Sequence, residues 1–416
     1  MFFIYQVIVS LLILLSPIII VLRIFKNKED KKRFIEKFSF PTKQNKDGNL
    51  IWFHGASVGE ILSIIPLIKY YEKNKSIKQI LITSSTLSSS KVLRKYNFKK
   101  TIHQFYPIDH VYFSKKFLNY WKPKIAIFIE SEIWPCMYKE INKKNIPLIL
   151  LNARLTKKTF QKWMKIKFFS KKIFDGIKVI FPQNNETKYF LKKISRSKIK
   201  FLGNLKFSEF QDKKLIKLNK KLKIEFKKNK IWIASSTHKS EEIFCAKAHL
   251  ELKKKFKNLI TVIIPRHIHR THDIINDIQK LNLKVVLHSD KIKKLQNVDI
   301  YLVDTFGETK KFHNLGSSVF LGGSIINRGG QNPLEAARSG SKILHGPHTG
   351  NFKDIYKLLK KYKTSKKINS HSELASSIIF KKNKNIGSKI KKIGEKILKE
   401  TIKELDFLIK DEIKKT

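Results

Sequence analysis

The strongest constraint on this chain is a rhythm. Continuous apolar runs of strand length recur along it, each followed by a polar loop and a lysine-rich amphipathic segment. "NLIWFH" (49–54), "QILITSS" (79–85), "IAIFIES" (125–131), "PLILLNAR" (147–154) and "VIFPQN" (179–184) form a first series, which "KIKFLGNLKF" (198–207) closes. "IWIASS" (231–236), "LITVIIPRH" (259–267), "KVVLHS" (284–289), "VDIYLVDT" (298–305), "SVFLGGS" (318–324) and "SKILHG" (341–346) form a second. Runs that are apolar throughout, rather than alternating, read as strands covered on both faces, as in parallel sheets. Strand, loop and amphipathic helix in repetition is the βαβ pattern. The chain therefore reads as α/β, with two Rossmann-like domains expected to face a cleft.

Between the series lies the charged stretch "SEFQDKKLIKLNKKLKIEFKKNK" (208–230), which reads as a helical linker. The resulting division is an N-terminal anchor (1–25), a first domain (26–208), a linker (209–230), a second domain (231–385) and a C-terminal amphipathic helix (386–416). A chain of 416 residues is long enough for two domains, each with its own core. The two cysteines, Cys136 and Cys245, are far apart and form no CxxC, which fits a reducing compartment better than a disulfide framework.

The first 25 residues carry no charge before Arg23, and the run is long enough to span or lie deep in a bilayer. It lacks a basic n-region and a small-residue cleavage site, so it reads as a retained anchor rather than a cleaved signal. The basic flank "RIFKNKEDKKRF" is expected to put the body on the cytoplasmic face of the membrane by the positive-inside rule. Pro17 is compatible with insertion.

A net charge of +54 invites a nucleic-acid reading. Lysine outnumbers arginine heavily, however, and is scattered along the chain without a basic stripe interleaved with aromatics. Base reading and bidentate phosphate contacts favour arginine. No nucleic-acid partner is expected. An anionic membrane surface, anionic substrates or a lysine-biased composition each account for the charge.

In open α/β sheets ligands bind beyond the carboxyl ends of the strands, and there the unusual loops cluster. They are "HGASVGE", "ESEIWP", "LNARL" and "GNLKF" in the first half. In the second they are "SSTHKSEE", "PRHIHR", "DTFGE", "GGS", "GGQNPLEAA" and "GPHTGNF". Several of the few arginines fall in them: Arg154, Arg266, Arg270 and Arg328. Arg266, after a strand, suits a phosphate; its bland alternative is an ion pair with a local carboxylate. Asn332, Pro333 and Glu335 are spaced as N-cap, N1 and N3 of a helix. The same residues suit a nucleotide phosphate at the helix start and ribose hydroxyls on Glu335. Ser57 and Glu60 are likewise spaced as a capping box. His267, His269 and His272 lack the spacing and companions of a zinc site, and no D-x-D triplet occurs; no metal or cofactor is expected.

Taken together and in order, "HGASVGE", "ESEIWP", "LNARL", "GNLKF", "PRH", "GGQNPLEAA" and "GPHTGNF" resemble the lipid A Kdo (3-deoxy-D-manno-octulosonic acid) transferase family, over essentially the whole chain. The resemblance implies a GT-B fold and metal-free transfer of Kdo from a CMP-Kdo donor to a lipid A precursor. It makes 26–208 the acceptor domain and 231–385 the CMP-sugar domain. It implies Glu60 as general base, and Glu130 and Lys206 as transition-state stabilisers. The plainer alternative for Glu130 is a buried ion pair with Arg154. CMP contacts fall on Pro265 and Arg266, on Gly307, Glu308 and Thr309, and on Asn332, Pro333, Leu334 and Glu335. One departure is Ser240, where a glycine is more usual. A carboxylate occupied by its own helix cap makes a poor base, so the two readings of Glu60 compete. The expectation is that Glu60 faces the cleft rather than its own helix, with Gly55 and Gly59 keeping the turn bare enough for an acceptor hydroxyl.

Overall fold

The apolar runs do form parallel strands. The computed structural model describes residues 1–209, 218–291 and 294–414, and the chain divides into two compact units. The first is Met1–Phe210 with Gly394–Thr416, and the second is Gln211–Ile393. Of the charged stretch 208–230, residues 210–217 lie outside the described part. Its remainder contains the helix Lys220–Lys227.

The first unit holds β1 (Leu50–His54), β2 (Gln79–Ser84), β3 (Thr101–Phe105), β4 (Ile125–Ile129), β5 (Leu148–Ala153), β6 (Val179–Pro182) and β7 (Lys198–Ile199). They pair in parallel in the order β3-β2-β1-β4-β5-β6-β7. Every residue of β1, β2, β4 and β5 is buried, as expected of strands covered on both faces. One core centres on Trp52, whose ring lies 4.8 Å from Phe117 and 5.0 Å from Phe128. Strand order reverses direction between β1 and β4, which is where doubly wound sheets open a crevice.

The second unit holds β8 (Lys230–Thr237), β9 (Leu259–Pro265), β10 (Val285–Leu287), β11 (Ile300–Leu302), β12 (Ser318–Leu321), β13 (Lys342–His345) and β14 (Ser365–Lys367). Their order is β10-β11-β9-β8-β12-β13-β14, again parallel. Its reversal lies between β8 and β12. The helix Lys220–Lys227 buries Phe226 completely, with its ring 5.0 Å from Tyr301.

Two strands depart from the sequence reading. β3 and β14 have no apolar run ("TIHQF" and "SKK"), and both lie at sheet edges. An edge strand has one neighbour and needs fewer buried faces, so hydrophobic continuity does not mark it.

The N-terminal helix Phe2–Phe25 is long and apolar enough to cross a membrane, with Pro17 inside it. At 1.5 Å per residue it extends about 36 Å, against a hydrocarbon core of about 30 Å. Most of its large side chains are exposed, while Tyr5 donates a 2.7 Å hydrogen bond to Asp109 of the body.

The C-terminal helix Lys384–Lys414 packs its later turns on the first unit. Tyr70 donates to Asp406 at 2.7 Å and Lys178 pairs with Glu412 at 2.7 Å. Gly394 approaches closely as well: a Cβ there would sit 2.0 Å from the Phe207 carbonyl oxygen. Gly394→Ala should therefore lower stability by about 1–3 kcal/mol through overpacking. Chemical denaturation followed by tryptophan fluorescence checks this, and an unchanged midpoint would refute the close approach.

Candidate active site

In the first unit the residues gather where β1 and β4 end. β1 stops at His54, and the helix Val58–Tyr71 starts with Ser57 as N-cap. Ser57 Oγ accepts from the Glu60 N–H at 3.4 Å and donates to Glu60 Oε1 at 2.9 Å. The other carboxylate oxygen, Oε2, accepts from the Ala56 N–H at 2.7 Å. The capping box is thus formed, displaced by one residue, and Glu60 folds back on its own helix start rather than standing free of it. Gly55 is packed tightly there, since a Cβ would lie 3.2 Å from Glu60 Cβ; a Cβ on Gly59 would meet nothing. Close packing explains the first glycine only.

These hydrogen bonds do not make Glu60 an ordinary carboxylate. Burial pushes it up to about 7, and the negative charges of Glu132 and Glu130 act in the same direction. The bonds from Ser57 and Ala56 oppose them only in part.

Glu130 sits just past β4 with φ +57°, a left-handed conformation unusual for a residue with a side chain. Such strain costs about 1–3 kcal/mol and collects at functional sites. The carboxylate is buried and pairs with Lys206 Nζ at 2.5 Å. Arg154, the other candidate partner, makes no side-chain ion pair among the described residues; its N–H donates to the Glu130 carbonyl at 3.2 Å. Lys206 is presented by a short 3-10 turn, Leu205–Ser208. Asn152 Oδ1 accepts from the Leu205 N–H at 3.0 Å, and Asn204 Oδ1 from the Lys206 N–H at 2.9 Å. The asparagines of "LNARL" and "GNLKF" therefore hold the lysine's backbone.

Glu132 was not singled out by the sequence. It accepts from Trp134 Nε1 at 3.0 Å and lies 3.1 Å from His54 Nε2. Burial holds His54 below its ordinary value, so its imidazole is neutral. Trp52 Nε1 donates to Thr83 Oγ1 at 2.9 Å, and that hydroxyl is 2.9 Å from His54 Nδ1. A consistent relay follows: Thr83 donates to Nδ1, and Nε2–H donates to Glu132. Tyr106 stacks on the imidazole at 3.9 Å. The only sequence signal for Glu132 was its spacing, two residues after Glu130.

In the second unit, the loops after β11, β9, β8 and β12 lie on consecutive strands. Pro265 ends β9 and Arg266 is exposed beyond it. Gly307 has φ +88°, Glu308 pairs with Lys311 at 2.7 Å, and Thr309 opens the helix Thr309–His313. Asn332 Oδ1 accepts from the Leu334 N–H at 3.1 Å. The helix is Leu334–Arg338 with Pro333 as N-cap, one position later than the spacing suggested. Glu335 pairs with Lys310 at 2.9 Å, joining the 307–309 turn to the 332–335 segment. Arg270 forms a two-pronged ion pair with Glu242 at 3.0 and 3.2 Å, which makes it a structural arginine.

The glycines of "GGS" also have a structural use. Buried Glu241 accepts from the N–H groups of His238, Gly323, Ser324 and Ile325, at 2.7–3.1 Å. That loop's donors are taken by an internal carboxylate. Among the described residues no group of three or more His, Cys, Asp or Glu side chains is placed to hold a metal ion.

A model of the family described as 3-deoxy-D-manno-octulosonic-acid transferase (kdotransferase) matches residues 32–209. A 3-deoxy-D-manno-octulosonic acid transferase of Rickettsia bellii is 33% identical over 399 residues, 95% of this chain and 94% of its own. The chain belongs to the 3-deoxy-D-manno-octulosonic acid transferase family. A Haemophilus influenzae member is 27% identical over 88% of this chain and 87% of its own. A glycosyltransferase structure from Rickettsia africae aligns with TM-score 0.56 at 14% identity, covering 89% of this chain and all of that one. That likeness shows the GT-B type fold. Within this Kdo transferase family member, Ser240 has φ +76°, which gives a physical reason for the glycine usual there.

The raised value of Glu60 has a stability consequence. Between about 4.5 and about 7 the folded protein holds a proton that the unfolded chain has released. The contribution is full below about 4.5 and is lost as pH rises to about 7. An infrared carboxylate titration, taken as wild type minus Glu60→Gln, should show a midpoint near 7. Glu132→Gln should move that midpoint to lower pH; an unmoved midpoint would show that the two carboxylates do not interact.

Proposed function

We propose that this protein is an inverting, metal-independent glycosyltransferase that moves Kdo from CMP-Kdo to a lipid A precursor, lipid IVA, in lipopolysaccharide core biosynthesis. The observation carrying the reading is the near-neutral carboxylate of Glu60 at the β1 turn, beside the Lys206–Glu130 pair. A general base works best with a value close to the operating pH.

In this reading residues 26–208 bind the acceptor and 231–385 bind the CMP-sugar, with 209–230 as linker and 386–416 as the closing helix. The acceptor hydroxyl attacks the anomeric carbon of Kdo while the bond from that carbon to the phosphate oxygen breaks. The electron pair of that bond leaves with CMP, and the hydroxyl proton passes to Glu60. Ser57 gives up its bond to Oε1 so that the acceptor hydroxyl can take its place. Displacement from the opposite side inverts the centre. Lys206 offsets negative charge in the transition state, and Glu130 offsets positive charge on the sugar ring. Arg266 takes the phosphate of CMP, with Pro265, Gly307, Glu308, Thr309, Asn332, Pro333, Leu334 and Glu335 around the nucleotide. Cationic side chains supply the charge compensation that a divalent ion supplies elsewhere.

The N-terminal helix anchors the enzyme in the inner membrane with its body on the cytoplasmic face. Its uncharged run and the basic segment after it support that orientation. The positive surface then faces anionic lipid.

Incubation with CMP-Kdo and tetra-acylated lipid A precursor, with products weighed by mass spectrometry, tests the reading; no mass gain of a Kdo unit would sink it. Glu60→Gln should lower kcat by about 10²–10⁴-fold with CMP affinity near wild type. Arg266→Ala should weaken CMP binding by about 10- to 100-fold, from the loss of a charged hydrogen bond.

A further inference from the structure

We propose that Arg328, Gln331 and His238 form a carboxylate subsite that selects a sugar-acid donor, at the reversal point between β8 and β12. For the donor's identity this rests on the CMP-Kdo reading. The geometry is set by Gly323. A Cβ there would lie 3.4 Å from each of Arg328 Cβ, Gln331 Nε2 and His238 Cδ2. Three side chains from two loops thus lean over one bare backbone position, held at φ +66°.

Arg328 and His238 are positioned but uncommitted at their functional ends. The Arg328 main chain is fixed, its N–H donating to Ile326 O at 2.8 Å and its carbonyl accepting from Asn351 Nδ2 at 3.2 Å. Its guanidinium is exposed and makes no ion pair among the described residues. His238 gives its backbone N–H to Glu241, while its Nε2 is buried without a hydrogen-bond partner among the described residues. A buried polar atom left unmatched costs about 1–3 kcal/mol, which a ligand acceptor removes.

The local charge has the right sign. Arg266, Arg328 and His267 all act on His238, which burial first of all holds below its ordinary value. Nearby Glu242 is already bound to Arg270 by both oxygens. The donors of the adjacent loop are taken by Glu241, so an anion here meets side chains rather than backbone N–H groups. Arginine in this chain is rare, nine residues against 78 lysines, and a planar fork suits a planar carboxylate.

A CMP-linked ulosonic acid carries two anionic groups, the phosphate and the carboxylate on its anomeric carbon. With Arg266 on the first, Arg328 serves the second, Gln331 donates through Nε2, and neutral His238 donates as its Nε2–H tautomer. A neutral sugar nucleotide leaves all three unmatched, so the subsite discriminates against it.

Steady-state transfer kinetics separate the two anions: KM for CMP-Kdo reports both, and product inhibition by CMP reports the phosphate alone. Arg328→Ala should raise KM for CMP-Kdo by about 10- to 100-fold, the range for a lost charged hydrogen bond, while the CMP inhibition constant changes less than about threefold. His238→Phe should raise KM by about 5- to 20-fold in the same pattern, and provides the test should Arg328→Ala fail to fold. Equal weakening of CMP and CMP-Kdo would make these nucleotide contacts and overturn the subsite. Unchanged KM in both variants overturns it too. Wild-type protein that ignores CMP-Kdo overturns the donor reading itself, a failure visible before any variant is made.

Discussion

Parallel pairing is the constraint from which the rest of this structure follows. Strands that all run one way send every connection back across the sheet, so every strand ends at the same edge. Two seven-stranded sheets of this kind bring distant loops together without any contact between the loops having to specify it. Glu60 follows β1 and Glu130 follows β4, and these strands are adjacent although 70 residues of sequence separate the two carboxylates. His238 and Gly323 come together in the same way beyond β8 and β12.

The two edges carry opposite chemistry. In the first unit three carboxylates share a small region, a costly arrangement in a half-buried place. Lys206 neutralises one, and His54 with Trp134 hold another by hydrogen bonds. The third, Glu60, has only two donors, so its burial first of all, and then the charges of both neighbours, appear as its raised affinity for a proton. In the second unit the exposed loops carry arginine and histidine, and the carboxylates there are already bound: Glu242 by Arg270, Glu335 by Lys310, Glu241 by the main chain.

Both series of strands were legible because buried parallel strands must be apolar on each face. β3 and β14 escaped notice because an edge strand tolerates "TIHQF" or "SKK". Ser57 and Glu60 were legible as a cap because capping is local, and the bond is there. That the carboxylate lies against this cap goes with the close approach of Gly55, and its raised proton affinity comes from burial and from charges about 70 residues away, neither of which spacing encodes. Glu132 and His54 belong to the same class of miss: each is unremarkable alone, and only the β1–β4 pairing joins them. The glycines of "GGS" looked like ligand-binding glycines because a bare loop has the same composition whether its donors serve a phosphate or a carboxylate. Nothing local told Glu241 apart from the acidic residues that ordinarily begin a helix.

Glu241 has one more consequence. An array of main-chain donors at a strand-to-helix turn is an all-purpose anion trap, open to any oxyanion in the surroundings. By occupying it permanently, the buried carboxylate acts as a built-in counterfeit of phosphate. The N–H groups of Gly323, Ser324 and Ile325 are thereby spoken for by the chain itself and are not presented to a free anion. Contact with an anion beside this loop then falls to side chains, which a single substitution can retune.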